Sequence, residues 1–189
     1  MGVVGWIAIG ILVLAAIYLI LVYNRLVRLR ALMKEGWSGI TVQLRRRADL
    51  VPNLVSVVEG YAEHERGTLN EVTAHRTDPV SARGVNATAE ADTAFSAMLG
   101  RLIAVAEDYP DLKADENFRQ LQDELSEIEE RLQGARRYYN ATVRDLNTRV
   151  ESFPDVLVAK PLGFSSEPFY DDQDASIQTA PPVRFGARA

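Results

Sequence analysis

The chain of 189 residues has no cysteine and only two histidines, and both scarcities remove chemistry at the outset. Without a thiol there is no cysteine nucleophile, and the lack fits a reducing compartment. His64 and His75 stand eleven residues apart, which on one helix is about 16 Å, too far to share a metal. The run Glu63, His64, Glu65 lacks the second histidine of a zinc-protease helix. Glu71 and His75, spaced i, i+4, offer two ligands at most. No glycine-rich phosphate loop and no nucleophile elbow appears either. These gaps predict no catalytic, cofactor-binding or metal-binding residues, and no enzyme.

Charge is missing too, in one place: Met1 to Asn24 carries none, and Arg25, Arg28, Arg30 and Lys34 follow at once. Residues 2–23 are apolar or small, and at about 1.5 Å per residue they reach roughly 33 Å as a helix, enough to cross a bilayer core. Trp6 lies near one end, with Tyr18 and Tyr23 towards the other, where interfacial rings are favoured. A cleaved signal peptide would want a basic start and a small-x-small site before polar chain. Here Ala15 and Ala16 lead into more apolar sequence, so the span is expected to stay attached. The basic cluster after the span, with none before it, predicts an N-terminus outside and a cytoplasmic C-terminal domain.

Net charge is −5, unevenly spread. Residues 24–76 carry nine Lys and Arg against six Asp and Glu, and residues 88–189 carry eleven against nineteen. An acidic C-terminal half argues against a nucleic-acid partner, which needs a basic stripe.

Helical spacing of apolar residues dominates the chain after the span. Leu26, Leu29, Met33, Trp37, Ile40 and Leu44 step by three and four and predict a helix over about 25–49. Gly36 and Gly39 flank Trp37 and read equally as a close helix approach, a bend or tolerated glycines. Pro52 predicts a break near residues 49–51, with Arg45, Arg46 and Arg47 in the last turn against the helix dipole; a kinked continuous helix is the alternative. A second helix over 52–76 presents Val55, Val58, Ala62, Leu69 and Val72, before a turn at Asp78, Pro79 and Gly84. A third, 88–108, presents Ala91, Phe95, Met98, Leu102 and Val105, and Tyr109, Pro110 and Asp111 close it. The fourth, 115–153, has the clearest period, from Phe118 through Leu121, Leu125, Ile128, Leu132, Ala135, Tyr139, Val143, Leu146 and Val150 to Phe153. Asp115 and Glu116 favour its positive end, Phe153 and Pro154 stop it, and so regular a stripe calls for partner helices or a coiled coil. Five of the eight prolines lie from Pro154 onward. With Phe164, Phe169, Tyr170 and Phe185 in it, the region 154–189 reads as an irregular tail, part of it extended on the bundle. Asp171 to Asp174 reads as a solvated turn.

Several runs together resemble the LemA family of membrane-anchored bacterial proteins. They are Tyr23 to Val27 (YNRLV), Gln43 to Val55 (QLRRRADLVPNLV), Gly60, Tyr61 and Glu65, Glu107 to Lys113 (EDYPDLK), and Asn117 with Phe118. Ala135 to Asn140 (ARRYYN), Asn147, Phe153 with Pro154, and Pro182 to Phe185 (PVRF) complete the series. Gly36 stands where the family pattern would have alanine. The resemblance implies one N-terminal span (1–24), a cytoplasmic up-and-down four-helix bundle (25–153) and the tail, an all-α protein throughout. It also supports the break at Pro52. It implies no catalytic site and points to membrane organisation.

Two residue sets remain as candidates. Arg45, Arg46, Arg47, Arg136 and Arg137 read either as helix-dipole and inter-helix ion pairs or as a partner-docking surface. Asn140 and Asn147, seven apart beside the apolar stripe, are expected to fix register between helices at some cost in stability. The carboxylates Asp123, Glu124, Glu127, Glu129 and Glu130 lack the Glu-x-x-His partners of a di-metal bundle and read as a charged outer face partly paired with Arg131, Arg136 and Arg137. Three functions follow from these features. The first is a membrane-anchored scaffold, contacting lipid through residues 2–23 and either self-associating or docking protein partners. The second is an accessory regulator of another membrane machine, such as a protease or sensor. The third, and least favoured, is an enzyme with a carboxylate-bound metal.

Overall fold

A computed structural model describes residues 2–61 and 65–170. Among them the only regular structure is helical: α1 (Val3–Glu59), α2 (Arg66–His75), α3 (Asp78–Ser81), α4 (Val85–Glu107), α5 (Pro110–Ala114), α6 (Glu116–Glu151) and α7 (Val156–Ala159).

The frame is α1, an unbroken helix of 57 residues, about 86 Å long at 1.5 Å per residue. Its first part is long and apolar enough to cross a membrane and lies uncovered by the rest of the chain. The expected break at Pro52 does not occur, because the helix continues to Glu59. Proline inside a helix costs about 3 kcal/mol through the lost hydrogen bond and the ring clash. Against that, Leu50, Val51, Leu54 and Val58 are all buried and stay in phase across it, each contributing roughly 1.5–3 kcal/mol on burial. Tertiary packing therefore overrides the local signal. One consequence is that Arg45, Arg46 and Arg47 sit in mid-helix and face no helix terminus.

The helix expected over 52–76 is accordingly split between the end of α1 and the short α2, and Ala62 lies outside the described residues. Asp78 and Pro79, read as a turn, open the single-turn α3, and Pro110 likewise opens α5. Asp115 caps α6, its side chain accepting from the Phe118 N–H at 3.0 Å. That bond holds the Asp115 carboxyl below the usual carboxylate range.

Three clusters stack along the molecule. The one farthest from the span joins α1, α2, α4, α5 and α6 through Val51, Leu54, Val58, Leu69, Val72, Phe95, Leu102, Leu112 and Phe118. The middle cluster joins Ile40 and Leu44 of α1 to Leu132, Tyr139 and Val143 of α6, with Ala89 of α4 and Tyr170 beyond the helices. The cluster nearest the span holds Val22 and Leu26 of α1, Leu146 and Val150 of α6, Val158 and Ala159 of α7, and Phe164. Helices α1 and α6 thus run antiparallel through all three levels, with α2 descending and α4 ascending beside them in an up-and-down bundle. Near the span neither α2 nor α4 contributes to the core. The chain after α6 takes their place.

Helices α1 and α6 approach closely at Gly36, where an added Cβ would stand 3.0 Å from the Tyr139 Cα. Of the open readings for this residue, close approach is the one realised. At Gly39 the same Cβ would meet the Ala135 Cβ at an ordinary 3.6 Å.

Candidate functional site: a buried charge cluster and the tail it holds

The apolar stripe of α1 that carries Ile40, Leu44, Val51 and Leu54 also carries Arg47, which is wholly buried. Buried guanidinium requires compensation, and α4 supplies it with Asp92, also wholly buried. One Asp92 oxygen accepts from Arg47 and the other from Arg136 of α6. The Tyr170 hydroxyl donates to that second oxygen at 2.5 Å. Arg47 extends its other nitrogen to Ser96 Oγ at 3.0 Å and to Glu129 Oε1 at 2.7 Å. Two guanidinium groups and two carboxylates therefore balance, bringing α1, α4, α6 and the tail to one point. Nε of Arg47 and of Arg136 are buried and have no hydrogen-bond partner among the described residues.

Aromatic rings wall the cluster. The Arg47 guanidinium lies 5.1 Å from the Phe95 ring centroid, and that of Arg136 lies 5.3 Å from Tyr170. Trp37 packs on Tyr139 and Tyr170 at 5.7 and 6.2 Å. Burial, and then the Asp92 hydrogen bond, push the Tyr170 phenol far above its ordinary value. Burial pushes the Tyr139 phenol up to about 12.

The tail reaches this point along a two-rung asparagine ladder. Asn147 Nδ2 donates to the Glu167 carbonyl at 2.9 Å, while its Oδ1 accepts from the Glu167 N–H at 2.8 Å. Asn140 does the same to Tyr170, at 2.9 and 2.8 Å. The spacing has a simple origin. Seven helical residues rise about 10.5 Å, and three extended residues span about 10 Å, so the two periods coincide. The side-chain amide reproduces the donor and acceptor of a peptide group, and the tail pairs with it as with a neighbouring strand. Tyr139 Oη adds a bond to the Pro168 carbonyl at 3.1 Å. The asparagines thus bind the tail, not the neighbouring helix that the sequence pattern led us to expect.

The remaining arginines lie elsewhere. Arg45, Arg46 and Arg137 are exposed, and Arg46 lines a shallow polar cleft between α1 and α6 with Asp49, Asn53, Glu124, Glu127 and Arg131. The candidate set therefore divides into two inward arginines, Arg47 and Arg136, and three outward ones. Asp92, Glu129 and Tyr170 complete the cluster. Asp92 lies one position out of phase with the predicted stripe, since the buried face of α4 is Thr88, Ala89, Asp92, Phe95, Leu99, Leu102 and Ala106. Ala91, Met98 and Val105, expected in the core, are only half buried. Glu71 pairs with Arg101 at 2.9 Å and His75 with Asp78 at 2.6 Å, while His64 and residues 171–174 lie outside the described residues. No group of three or more potential metal ligands occurs among the described residues.

A second tether lies at the base of the span. The Tyr18 hydroxyl donates to Asp155 Oδ1 at 2.6 Å, and Arg149 donates to Asp155 Oδ2 at 3.1 Å. Arg30 donates to the Gly163 carbonyl at 2.9 Å and stacks 3.9 Å above the Phe164 ring centroid. Gly163 has φ of +74°, the left-handed backbone that favours glycine, and turns the chain into the tail.

The sequence profile of the LemA family matches residues 36–185. Magnetosome protein MamQ 2 of Paramagnetospirillum magneticum is 25% identical over 183 residues, covering 83% of this chain and 67% of its own. Magnetosome protein MamQ of Magnetospirillum gryphiswaldense is 24% identical over 196 residues, covering 89% of this chain and 72% of its own. Protein LemA of Metamycoplasma hominis is 32% identical over 120 residues, covering 62% of this chain and 54% of its own. With most of its length matched by the family profile, and with an uncovered apolar first part of α1 long enough to cross a membrane, the chain belongs to the LemA family.

Proposed function

We propose that the protein is a non-enzymatic scaffold, anchored by residues 2–23, that presents the outer surface of its bundle to protein partners or to copies of itself. The observation that carries this reading is the unbroken α1, which passes from the uncovered apolar segment into the bundle core without a linker. A hinge there would let the bundle swing. A continuous helix, braced by the Tyr18 to Asp155 bond and the Arg30 stack, gives the bundle surface a set height and direction relative to the bilayer. Both Asp92 oxygens are occupied from within the chain, which supports a structural role for the buried charges. Arg45, Arg46 and Arg137 are the outward cations we assign to docking. The magnetosome naming of the MamQ relatives supports service to an assembly.

The basic residues that follow the span support placing the bundle in the cytoplasm. Because the chain has no cysteine, a single Gln120→Cys on the exposed face of α6 tests this. A membrane-impermeant thiol reagent is expected to leave it unlabelled in intact cells and to label it after lysis. Labelling in intact cells reverses the orientation. For the scaffold itself, crosslinking in native membranes is expected to yield multimers or a partner adduct. A strictly monomeric detergent-solubilised protein by light scattering, with no crosslinked species, overturns the reading.

A further inference from the structure

The chain between α6 and the tail exposes more apolar surface than its folding requires. Val158 and Ala159 of α7 pack inward on the bundle. Their neighbours Phe153, Leu157 and Leu162 point outward and are 80%, 66% and 49% exposed. This outward face is not isolated. Leu157, Pro161 and Leu162 line one apolar hollow together with Leu19, Ile20 and Tyr23 of α1. The same surface that lipid would cover on the span therefore continues onto the α7 knuckle.

Depth follows from where the apolar run gives way to charge. The first charged residue of α1 is Arg25, and Tyr18 lies seven residues before it, about 10.5 Å of helix. Residues 18–23 therefore belong to the apolar run below the first cations, and the knuckle is packed against them and tied to Tyr18 through Asp155. A segment at that depth faces acyl chains. Its polar groups are arranged accordingly, since Asp155 is buried and receives bonds from both Tyr18 and Arg149. Cations follow on α1, where Arg25 and Arg28 are exposed at the level headgroup phosphates would occupy, and the exposed Lys160 of the knuckle has a stem long enough to reach that level.

We propose that residues 153–162 form a second membrane-contacting element, a wedge whose Phe153, Leu157 and Leu162 insert among the acyl chains of the bundle-side leaflet. The bundle is then held to the bilayer at two points, the span and the wedge, which oppose rotation about the α1 axis.

The test uses the full chain in phosphatidylcholine vesicles with one cysteine at a time, labelled with an environment-sensitive fluorophore. The positions are Leu157→Cys, Leu12→Cys within the span and Gln120→Cys on the bundle; all three residues are exposed, so the fold tolerates them. Bromine- or nitroxide-bearing lipids are expected to quench Leu157→Cys several-fold more than Gln120→Cys, with Leu12→Cys quenched as well. Aqueous iodide is expected to act in the reverse order. Three outcomes overturn the wedge. Iodide access at Leu157→Cys equal to that at Gln120→Cys places the knuckle in water. Shielding from iodide without lipid quenching places it against protein. Absence of lipid quenching at both Leu157→Cys and Leu12→Cys removes the wedge together with the span. None of these readouts depends on whether the bundle is a scaffold.

Discussion

The far end of the bundle and its middle solve the same packing problem with different chemistry. At the far end the buried residues of five helices are all aliphatic or phenylalanine. In the middle, α1, α4 and α6 meet around Arg47, Asp92 and Arg136, and a non-helical segment closes the cluster with Tyr170. Apolar packing is non-directional and suits helices that already cover one another. An extended tail lacks helix-internal hydrogen bonds, and directional side-chain partners satisfy its backbone and fix its register. Charge is used where the partner is an irregular chain.

This contrast predicts its sharpest break at Asp92. Asp92→Ala leaves the buried Arg47 and the half-buried Arg136 around a missing carboxylate, and we expect a loss of about 3–5 kcal/mol in denaturant unfolding. Leu102→Ala at the far end is expected to cost about 2–5 kcal/mol through the cavity it leaves. Totals of similar size will differ in location. Asp92→Ala should make residues 164–170 protease-sensitive under native conditions, whereas Leu102→Ala should raise amide exchange in α2 and α4 and leave the tail protected. Equal tail cleavage in both variants would erase the distinction between the two regions.

Removing a rung of the asparagine ladder is a smaller step. Asn140→Ala or Asn147→Ala deletes two hydrogen bonds to the tail backbone, and at about 0.5–1.5 kcal/mol each the expected loss is roughly 1–3 kcal/mol. Amide exchange should rise at Tyr170 for the first and at Glu167 for the second. The far core should be indifferent to both.

Alkali should separate the regions without mutation. The Tyr139 phenol is held up to about 12 against an ordinary 10.0, and Tyr170 is raised as well. The folded state therefore retains protons that the unfolded state loses above pH 10. The Tyr139 contribution is complete below that pH and is lost as pH rises through about 12, and the Tyr170 contribution falls in the same direction. Trp37, packed on both rings, is the natural reporter, with Trp6→Phe removing the second indole. Its emission should shift before helicity falls, and Tyr170→Phe should move the onset to higher pH.

Much of this architecture is legible in the sequence because it repeats. Phe118, Ile128, Leu132, Tyr139, Val143, Leu146 and Val150, all on the predicted stripe of α6, are buried. So are Leu26, Ile40 and Leu44 of α1. What escaped depends on distant partners. Pro52 carries a local signal to break, and only the burial of Leu50, Val51, Leu54 and Val58 by other helices overrules it. Arg47 continues the α1 stripe, yet its inward orientation follows from Asp92, 45 residues away on α4. Asp92 itself falls on a face that a one-position error in phase assigns to solvent. The asparagines were visible by spacing, but nothing local distinguishes a tail from a helix as their partner.

The two glycines beside Trp37 give the finest test, because their helix propensities are equal and only their neighbours differ. Alanine in a helix interior gains roughly 0.5–1 kcal/mol over glycine. At Gly39 the new methyl would meet only the Ala135 Cβ, at 3.6 Å, so Gly39→Ala should realise that gain. At Gly36 the methyl would stand 3.0 Å from the Tyr139 Cα and 3.1 Å from the Tyr138 ring, so α6 must move by a few tenths of an ångström. The backbone that must move carries Tyr139 and the neighbouring Asn140, one bonded to Pro168 and the other to Tyr170. Overpacking of this kind costs about 1–3 kcal/mol and more than cancels the propensity gain. Gly36→Ala should therefore lower the unfolding midpoint and increase amide exchange at Tyr170, while Gly39→Ala raises the midpoint and leaves Tyr170 protected. A gain of equal size at both positions would show that α6 shifts freely at this level and that the tail, not the α1 to α6 contact, sets the position of Tyr139.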